Sequence, residues 1–241
     1  MINFVIVHKT RPRRGGESSG WSTAVKKEEV LDVVKGFNKS LTSLIEMAYN
    51  VSSGDEQGIG EKGIKVHHLY KRPPLNSFVR GKAVIIGDAA HVMMPTHAAG
   101  GAVAIESAAT MEVLFRNFPS DTCELGEFVK SRLKLFDQLR IPRCNLTMLA
   151  SNAGPPWLKV PGVEEEIRKY YQGPLPGKNA VSWGKEFREF LFCYDAFERA
   201  EEAVRKEEEV AAAVSSPAGV DSKDLEVKVS VVETENTRLD T

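Results

Sequence analysis

Four apolar residues, Ala83-Val84-Ile85-Ile86, run straight into Gly87-Asp88-Ala89-Ala90-His91-Val92-Met93-Met94-Pro95. A short β-branched run closed by glycine predicts a buried strand, and open α/β sheets bind ligands beyond the carboxyl ends of such strands. Asp88 is therefore expected to point into a crevice. Past Pro95, Gly100 and Gly101 open a helical pattern in which Ala104, Ala108, Met111 and Phe115 recur at spacings of four, three and four. The expected unit is strand, turn, loop and helix amino terminus.

Each part has a chemical use. Gly87 lets the backbone turn tightly and approach a ligand. An ionised Asp88 accepts hydrogen bonds from hydroxyls, which suits a sugar or ribityl chain better than a phosphate. Pro95 fixes φ in the loop and removes one donor. The amides around Gly100, Gly101 and Ala102, at the positive end of the helix dipole, favour an electron-rich carbonyl or a developing anion. Asp88 also suits a plain helix-capping or turn role, since Asp and Gly are common there.

The run Arg80-Gly81-Lys82-Ala83-Val84-Ile85-Ile86-Gly87-Asp88-Ala89-Ala90-His91, then Pro95, Gly100 and Ala104-Ile105-Glu106, resembles the second flavin-binding motif of FAD-dependent aromatic monooxygenases, the salicylate-hydroxylase-like branch above all. Tyr70-Lys71-Arg72-Pro73-Pro74-Leu75 resembles the lead-in to that motif. Arg140-Ile141-Pro142-Arg143 with Ser151-Asn152 resembles the helix and loop after the motif, and Phe192-Cys193-Tyr194-Asp195-Ala196 a segment near the end of salicylate hydroxylases. The resemblance spans roughly Phe4 to Ala200 and is strongest from Tyr70 to Phe115. It implies that Asp88, beside Gly87, binds the ribityl chain. It also implies that the loop Pro95 through Ala102, including Ala99, Gly100 and Gly101, lies against the isoalloxazine ring, with Glu106 behind it.

The chain departs from the family pattern at three places. Ala98 stands where a glycine is usual, Ala102 where Asn is usual, and Ser107 where Asp is usual. Ala98 is strained if its position needs positive φ, and Ala102 supplies no polar side chain. These changes bear on flavin affinity rather than on the fold. The family's opening βαβ unit with Gly-x-Gly-x-x-Gly has no counterpart here. Gly15, Gly16 and Gly20 lie in a polar stretch with no apolar helix after it, so they read as a loop. The chain thus reads as a carboxyl-terminal portion that starts partway through the substrate domain; either it is truncated or a partner completes it.

The implied fold class is α/β with α+β character: part of a FAD-binding Rossmann-like fold, a substrate-domain sheet and carboxyl-terminal helices. The expected divisions are a partial substrate domain over 1–75, the flavin motif and helices over 76–200, and a charged helix end with a mobile tail over 201–241. The implied activity is hydroxylation or epoxidation of a small aromatic or polyketide- or terpenoid-like substrate in secondary metabolism. FAD is the cofactor, NADPH or NADH the electron donor and O2 the oxidant. Such chemistry needs a cofactor cradle more than a constellation of protein acids and bases, and no catalytic residue is singled out. The competing expectation is a non-catalytic remnant, or one half of a flavoprotein that needs a partner chain or a second copy.

A chain of 241 residues can bury a substantial core as one or two domains. A net charge of −1 gives no reason to expect nucleic acid as partner. Cys123, Cys144 and Cys193 show neither metal spacing nor a disulfide framework, which points to a reduced, cytoplasmic compartment. No apolar window approaches the ~18 to 20 residues of a membrane span.

Ile2 to Val7 and Lys65 to Tyr70 are predicted strands; Lys26 to Tyr49, Glu164 to Gln172 and Trp183 to Val214 are predicted helices. Leu125 to Ala150 is a long helical pattern expected to break at Pro142 and to end at Gly154-Pro155-Pro156. Ser52 to Gly63 reads as a connector, and from Ser215 the chain is polar and tail-like. His91 is expected to pack beneath the turn, His97 to be a loop residue rather than an acid or base, and Arg140 and Arg143 to form pairs on the helix surface. His67 and His68 have no metal partners in the pattern. Arg11-Pro12-Arg13-Arg14 and the Glu201 to Glu209 run read as solvated charge.

Overall fold

A computed structural model describes residues 5–8, 22–53, 65–120 and 122–215. The chain divides into two compact units, 1–69 and 70–241.

In the first unit, β1 (Ser22–Ala24) pairs antiparallel with β2 (Lys65–His67), with Ser22 opposite His67 and Ala24 opposite Lys65. Helices α1 (Lys27–Val33) and α2 (Lys39–Ser53) lie between them in sequence. Asn38 starts α2 by accepting the Ser40 amide on Oδ1 at 2.8 Å, the usual way a short polar side chain satisfies an orphan amide. Val25, Val34 and Ile45 are buried. The strand expected at Ile2 to Val7 lies partly outside the described residues, and Val5, Ile6 and Val7 are exposed and unpaired as a strand. The Arg11 to Arg14 patch, Gly15, Gly16 and Gly20, most of the connector and the tail beyond Ser215 also lie outside the described residues.

The second unit is helical. It opens with a hairpin of β3 (Val79–Arg80) and β4 (Ala83–Val84), turning at Gly81, whose φ is 63°. Then follow α3 (Asp88–His91), a 3-10 turn (Pro95–His97), α4 (Gly100–Leu114) and α5 (Thr122–Ala153). A second 3-10 turn (Trp157–Lys159) leads to α6 (Val163–Arg168), α7 (Lys185–Phe192) and α8 (Ala196–Ser215). Asp195 caps α8, its Oδ1 accepting the amides of Phe197 and Glu198 at 3.0 Å each. One core cluster joins Ala99, Leu146, Ala150, Trp157, Ile167, Phe187 and Leu191. The other joins Phe78, Ala90, Val103, Leu114, Phe136 and Cys144.

Three expectations need correction. The apolar run Ala83 to Ile86 is not a buried strand throughout: only Ala83 and Val84 pair, antiparallel to β3, while Ile85 and Ile86 are 38% and 45% exposed. Pro142 does not interrupt α5, which runs through it to Ala153 and ends at Gly154 with φ 84°. A proline removes one amide donor, and the packing of both core clusters against α5 outweighs that loss. The buried residues of α4 are Val103, Ser107, Thr110, Val113 and Leu114, one position off the apolar repeat of Ala104, Ala108, Met111 and Phe115. Ser107 and Thr110 sit inside because each hydroxyl donates to a carbonyl four residues back, Val103 O and Glu106 O, at 2.9 Å.

Candidate functional site

Gly87 takes φ 60° and ψ −145°, a conformation that only glycine adopts readily. The turn lets α3 begin at once, with the amides of Ala90 and His91 bonded to Gly87 O at 2.8 and 2.9 Å. A Cβ at Gly87 would stand 3.8 Å from the Ala104 methyl, so the turn lies directly against α4. Arg72 secures α3 from the other end: its Nη2 donates to Ala89 O at 3.0 Å and to Ala90 O.

Asp88 is exposed and caps nothing through its side chain. A carboxylate held at a rigid turn with its oxygens open to solvent is ready to accept hydrogen bonds from a ligand hydroxyl. His91 is buried under the turn, as its sequence position suggests, and burial lowers its pKa from 6.5.

The loop from Val92 to Ala99 is fastened at several points. The Met94 amide donates to Asn152 Oδ1 at 3.0 Å, and Thr96 Oγ1 donates to Ser151 O at 2.6 Å. His97 belongs to this loop, as expected, and packs inward. Its ring is buried, 4.9 Å from the Phe187 ring centroid and 3.4 Å from Ser151 Oγ through Nδ1, and burial lowers its pKa from 6.5. Ala98 sits at φ 50° and ψ 26°, so the strain foreseen for an alanine there is present.

Helix α4 opens at Gly100 with no side-chain cap. The first amide at this end with a backbone acceptor is that of Val103, bonded to Ala99 O at 2.9 Å. The amides of Gly100, Gly101 and Ala102 therefore stand ready for an electron-rich group, reinforced by the dipole of a 15-residue helix. A Cβ on Gly100 or Gly101 would meet nothing within 4 Å. Pro95, Gly101 and Ala102 are exposed. Ala99 differs from the other expected contacts, because its methyl is part of the core beside Leu146 and Trp157 and leaves only its backbone for a ligand.

Behind the loop lies a charged cluster. Glu106 Oε2 accepts from Arg140 Nη2 at 2.9 Å, and Arg143 binds both Glu106 oxygens, at 3.0 and 2.7 Å. Arg140 is 0% exposed and Arg143 7%, so neither is the surface residue expected from the sequence. Arg140 also donates to Val103 O at 3.1 Å and Ser107 Oγ at 3.2 Å, and Arg143 to Leu191 O at 2.6 Å. Both guanidinium groups stand over the Tyr194 ring, at 5.5 and 4.6 Å from its centroid. Burial raises the Tyr194 and Cys144 pKa values, which keeps phenol and thiol neutral.

Among the described residues no group of His, Cys, Asp or Glu is placed to hold a metal ion, and no helix is long and apolar enough to cross a membrane. Gly87, Asp88, Pro95 and Gly100 to Ala102 lie along one turn-loop-helix unit, with an open carboxylate at one end and open amides at the other. The donor set fits a cofactor that offers hydroxyls to Asp88 and an electron-rich edge to α4.

No family model matches the chain. It is 30% identical over 141 residues to the FAD-dependent monooxygenase phomE of Diaporthe leptostromiformis, covering 58% of this chain and 35% of that protein. It is 28% identical over 123 residues to salicylate hydroxylase of Pseudomonas putida, covering 51% and 24%. The chain thus spans about a third or less of the length of these curated relatives. In structure it matches a salicylate hydroxylase substrate complex with a TM-score of 0.54 at 23% identity, over 80% of this chain and 40% of that one. The FqzB structure gives 0.52 at 18% identity, over 85% and 42%. In sequence over the matched part, and in fold, the chain is like the FAD-dependent aromatic monooxygenases.

Proposed function

We propose that this chain supplies the ribityl- and ring-facing part of a FAD site in a monooxygenase. The enzyme would hydroxylate or epoxidise a small aromatic or lipophilic substrate with NADPH or NADH and O2, in the cytoplasm. The observation that carries the reading is that one turn-loop-helix unit, in which Gly87 lies against Ala104 of α4, carries both an open Asp88 carboxylate and the uncapped amides of Gly100 to Ala102. The similarity to phomE and to salicylate hydroxylase supports it.

FAD, when bound, would supply the oxygen-transfer chemistry. The chain's own residues bind and orient. Asp88 accepts hydrogen bonds from ribityl hydroxyls, and the α4 amides favour negative charge at the ring edge. Pro95 and the methyl of Ala102 offer an apolar surface beside it. Neither histidine of this unit offers its ring to a ligand, because His91 and His97 are both fully buried.

Incubation with FAD, desalting and a visible spectrum test the reading. The wild-type chain should retain flavin, and Asp88→Ala should bind it about ten- to a hundredfold more weakly, as expected for losing charge-assisted hydrogen bonds worth about 1.5–3 kcal/mol. Equal affinity of the two proteins, or no retention by either, would sink it.

One observation favours a second reading, a remnant or one half of a flavoprotein completed by a partner chain. Ile85, Ile86 and, at 73%, Ile105 are exposed close to the candidate site. A folded but colourless protein would favour that reading.

A further inference from the structure

The loop ahead of α4 holds an alanine at φ 50°, where L-residues with a Cβ are strained, yet it lies between two buried side chains, His97 and Ala99. Strained backbone persists only where the surroundings over-determine it. The fastenings come from one place, the last turn of α5, more than 50 residues further along the chain. Ser151 O is one of the carbonyls that a helix leaves without an intrahelical partner at its carboxyl end. It accepts the Gly154 amide at 3.3 Å and the Thr96 hydroxyl at 2.6 Å. Asn152 Oδ1 accepts the Met94 amide at 3.0 Å, and Ser151 Oγ meets His97 Nδ1 at 3.4 Å.

We propose that the carboxyl-terminal turn of α5 is the seat of this loop, and that Asn152 and Thr96 are positioning residues. They set the loop in its strained form before any ligand arrives, and so fix the direction of the Gly100 to Ala102 amides. Both residues are half-buried, and the hydrogen bonds of their side chains run between the loop and α5. What the loop faces, a flavin ring, rests on the function proposed above; the seat itself does not.

The geometry has a directional logic. Met94 and Thr96 bracket Pro95, so the two hydrogen bonds clamp the backbone on either side of the residue that fixes φ at the start of the 3-10 turn. Beyond the turn, Ala98 N bonds Pro95 O at 3.3 Å, and Ala99 then anchors in the core. Freed from the clamp, Ala98 would relax toward negative φ and rotate the first amides of α4. The seat thus couples the end of one helix to the start of another.

Hydrogen exchange on the full chain tests the seat directly. Asn152→Ala and Thr96→Val should speed exchange of the Met94 to Ala99 amides by about three- to tenfold, the range expected for one lost hydrogen bond. Exchange in α6 and α8 and the melting temperature should stay near wild type. Asn152→Asp, which keeps an acceptor oxygen, and Thr96→Ser, which keeps the hydroxyl, should restore slow exchange. FAD fluorescence quenching on the same proteins should weaken in parallel for the first pair and recover for the second. Unchanged loop exchange would overturn the proposal, as would exchange rising throughout the chain with a lowered melting temperature. If exchange shows this pattern while no protein binds FAD, the seat stands and the flavin reading falls.

Discussion

Arg143 grips both carboxylate oxygens of Glu106, Nε to Oε2 at 3.0 Å and Nη2 to Oε1 at 2.7 Å. Arg140 approaches Oε2 from the same helix at 2.9 Å, so one carboxylate faces two guanidinium groups that are almost fully removed from water. The charge left over is spread across carbonyls of Val103 and Leu191 and the face of Tyr194. The cluster ties α4 to α5 and to the junction of α7 with α8, directly behind the helix end that carries Gly100 to Ala102.

Removing the carboxylate leaves two buried cations facing each other. Glu106→Gln should therefore destabilise the fold by about 3–5 kcal/mol, the cost of stranding a buried charge. Arg143→Lys should cost less, since an ammonium keeps the charge but loses the two-point grip. Urea unfolding of the three proteins checks the order. A loss under about 1 kcal/mol for Glu106→Gln would place the cluster among weak surface pairs.

Acid should weaken the fold through His91 and His97. Burial lowers both pKa values below 6.5, so as pH falls past 6.5 the unfolded chain takes up protons that the folded chain refuses. Their stabilisation is complete above that pH and declines below it, with each ring contributing a slope of up to about 1.4 kcal/mol per pH unit. His97→Phe, which keeps an aromatic ring against Phe187, should flatten the decline between about pH 6.5 and 5. Urea midpoints across that range measure it, and an unaltered slope in the variant would remove His97 from the account.

Much of the site was legible because its signals are local. The glycine before Asp88 and the proline opening the turn each state a backbone need that one residue type meets, and the glycine pair marks where α4 begins. The positive φ at Ala98 followed from a single position in the pattern. The charged cluster was not legible, because Glu106, Arg140, Arg143 and Tyr194 meet only in three dimensions, and an arginine on a helix reads as solvated unless its partner is known. The buried face of α4 was missed for a related reason. Ser107 and Thr110 count as polar in a periodic pattern, although their hydroxyls are satisfied within the helix. The Ile85-Ile86 run reads as buried from composition alone, yet among the described residues only Ala83 and Val84 of this run find a strand partner.

Ala98→Gly should stabilise the chain. Relief of a left-handed alanine is worth about 1–2 kcal/mol, and the added freedom of glycine in the unfolded chain costs about 0.4–1 kcal/mol. A net gain of about 0.5–1 kcal/mol should appear as a raised melting temperature, whereas Ala98→Val should lower it by more. A glycine variant that melts below wild type would mean that the Ala98 methyl contributes packing that outweighs its strain.

Gly87 and Gly101 should respond oppositely to alanine. At Gly87 the backbone conformation is one that alanine resists, so Gly87→Ala should cost about 1–3 kcal/mol although its Cβ would have room against Ala104. At Gly101 the backbone is helical and a Cβ meets nothing, so Gly101→Ala should add up to about 1 kcal/mol of stability. The same methyl would stand on the open side of the first turn of α4, where a flavin ring is proposed to lie. A more stable protein that retains less FAD on desalting is the expected outcome, a trade of stability against binding at one atom. Gly101→Ala that gains stability and keeps wild-type FAD affinity would show that the cofactor does not approach α4 at that residue.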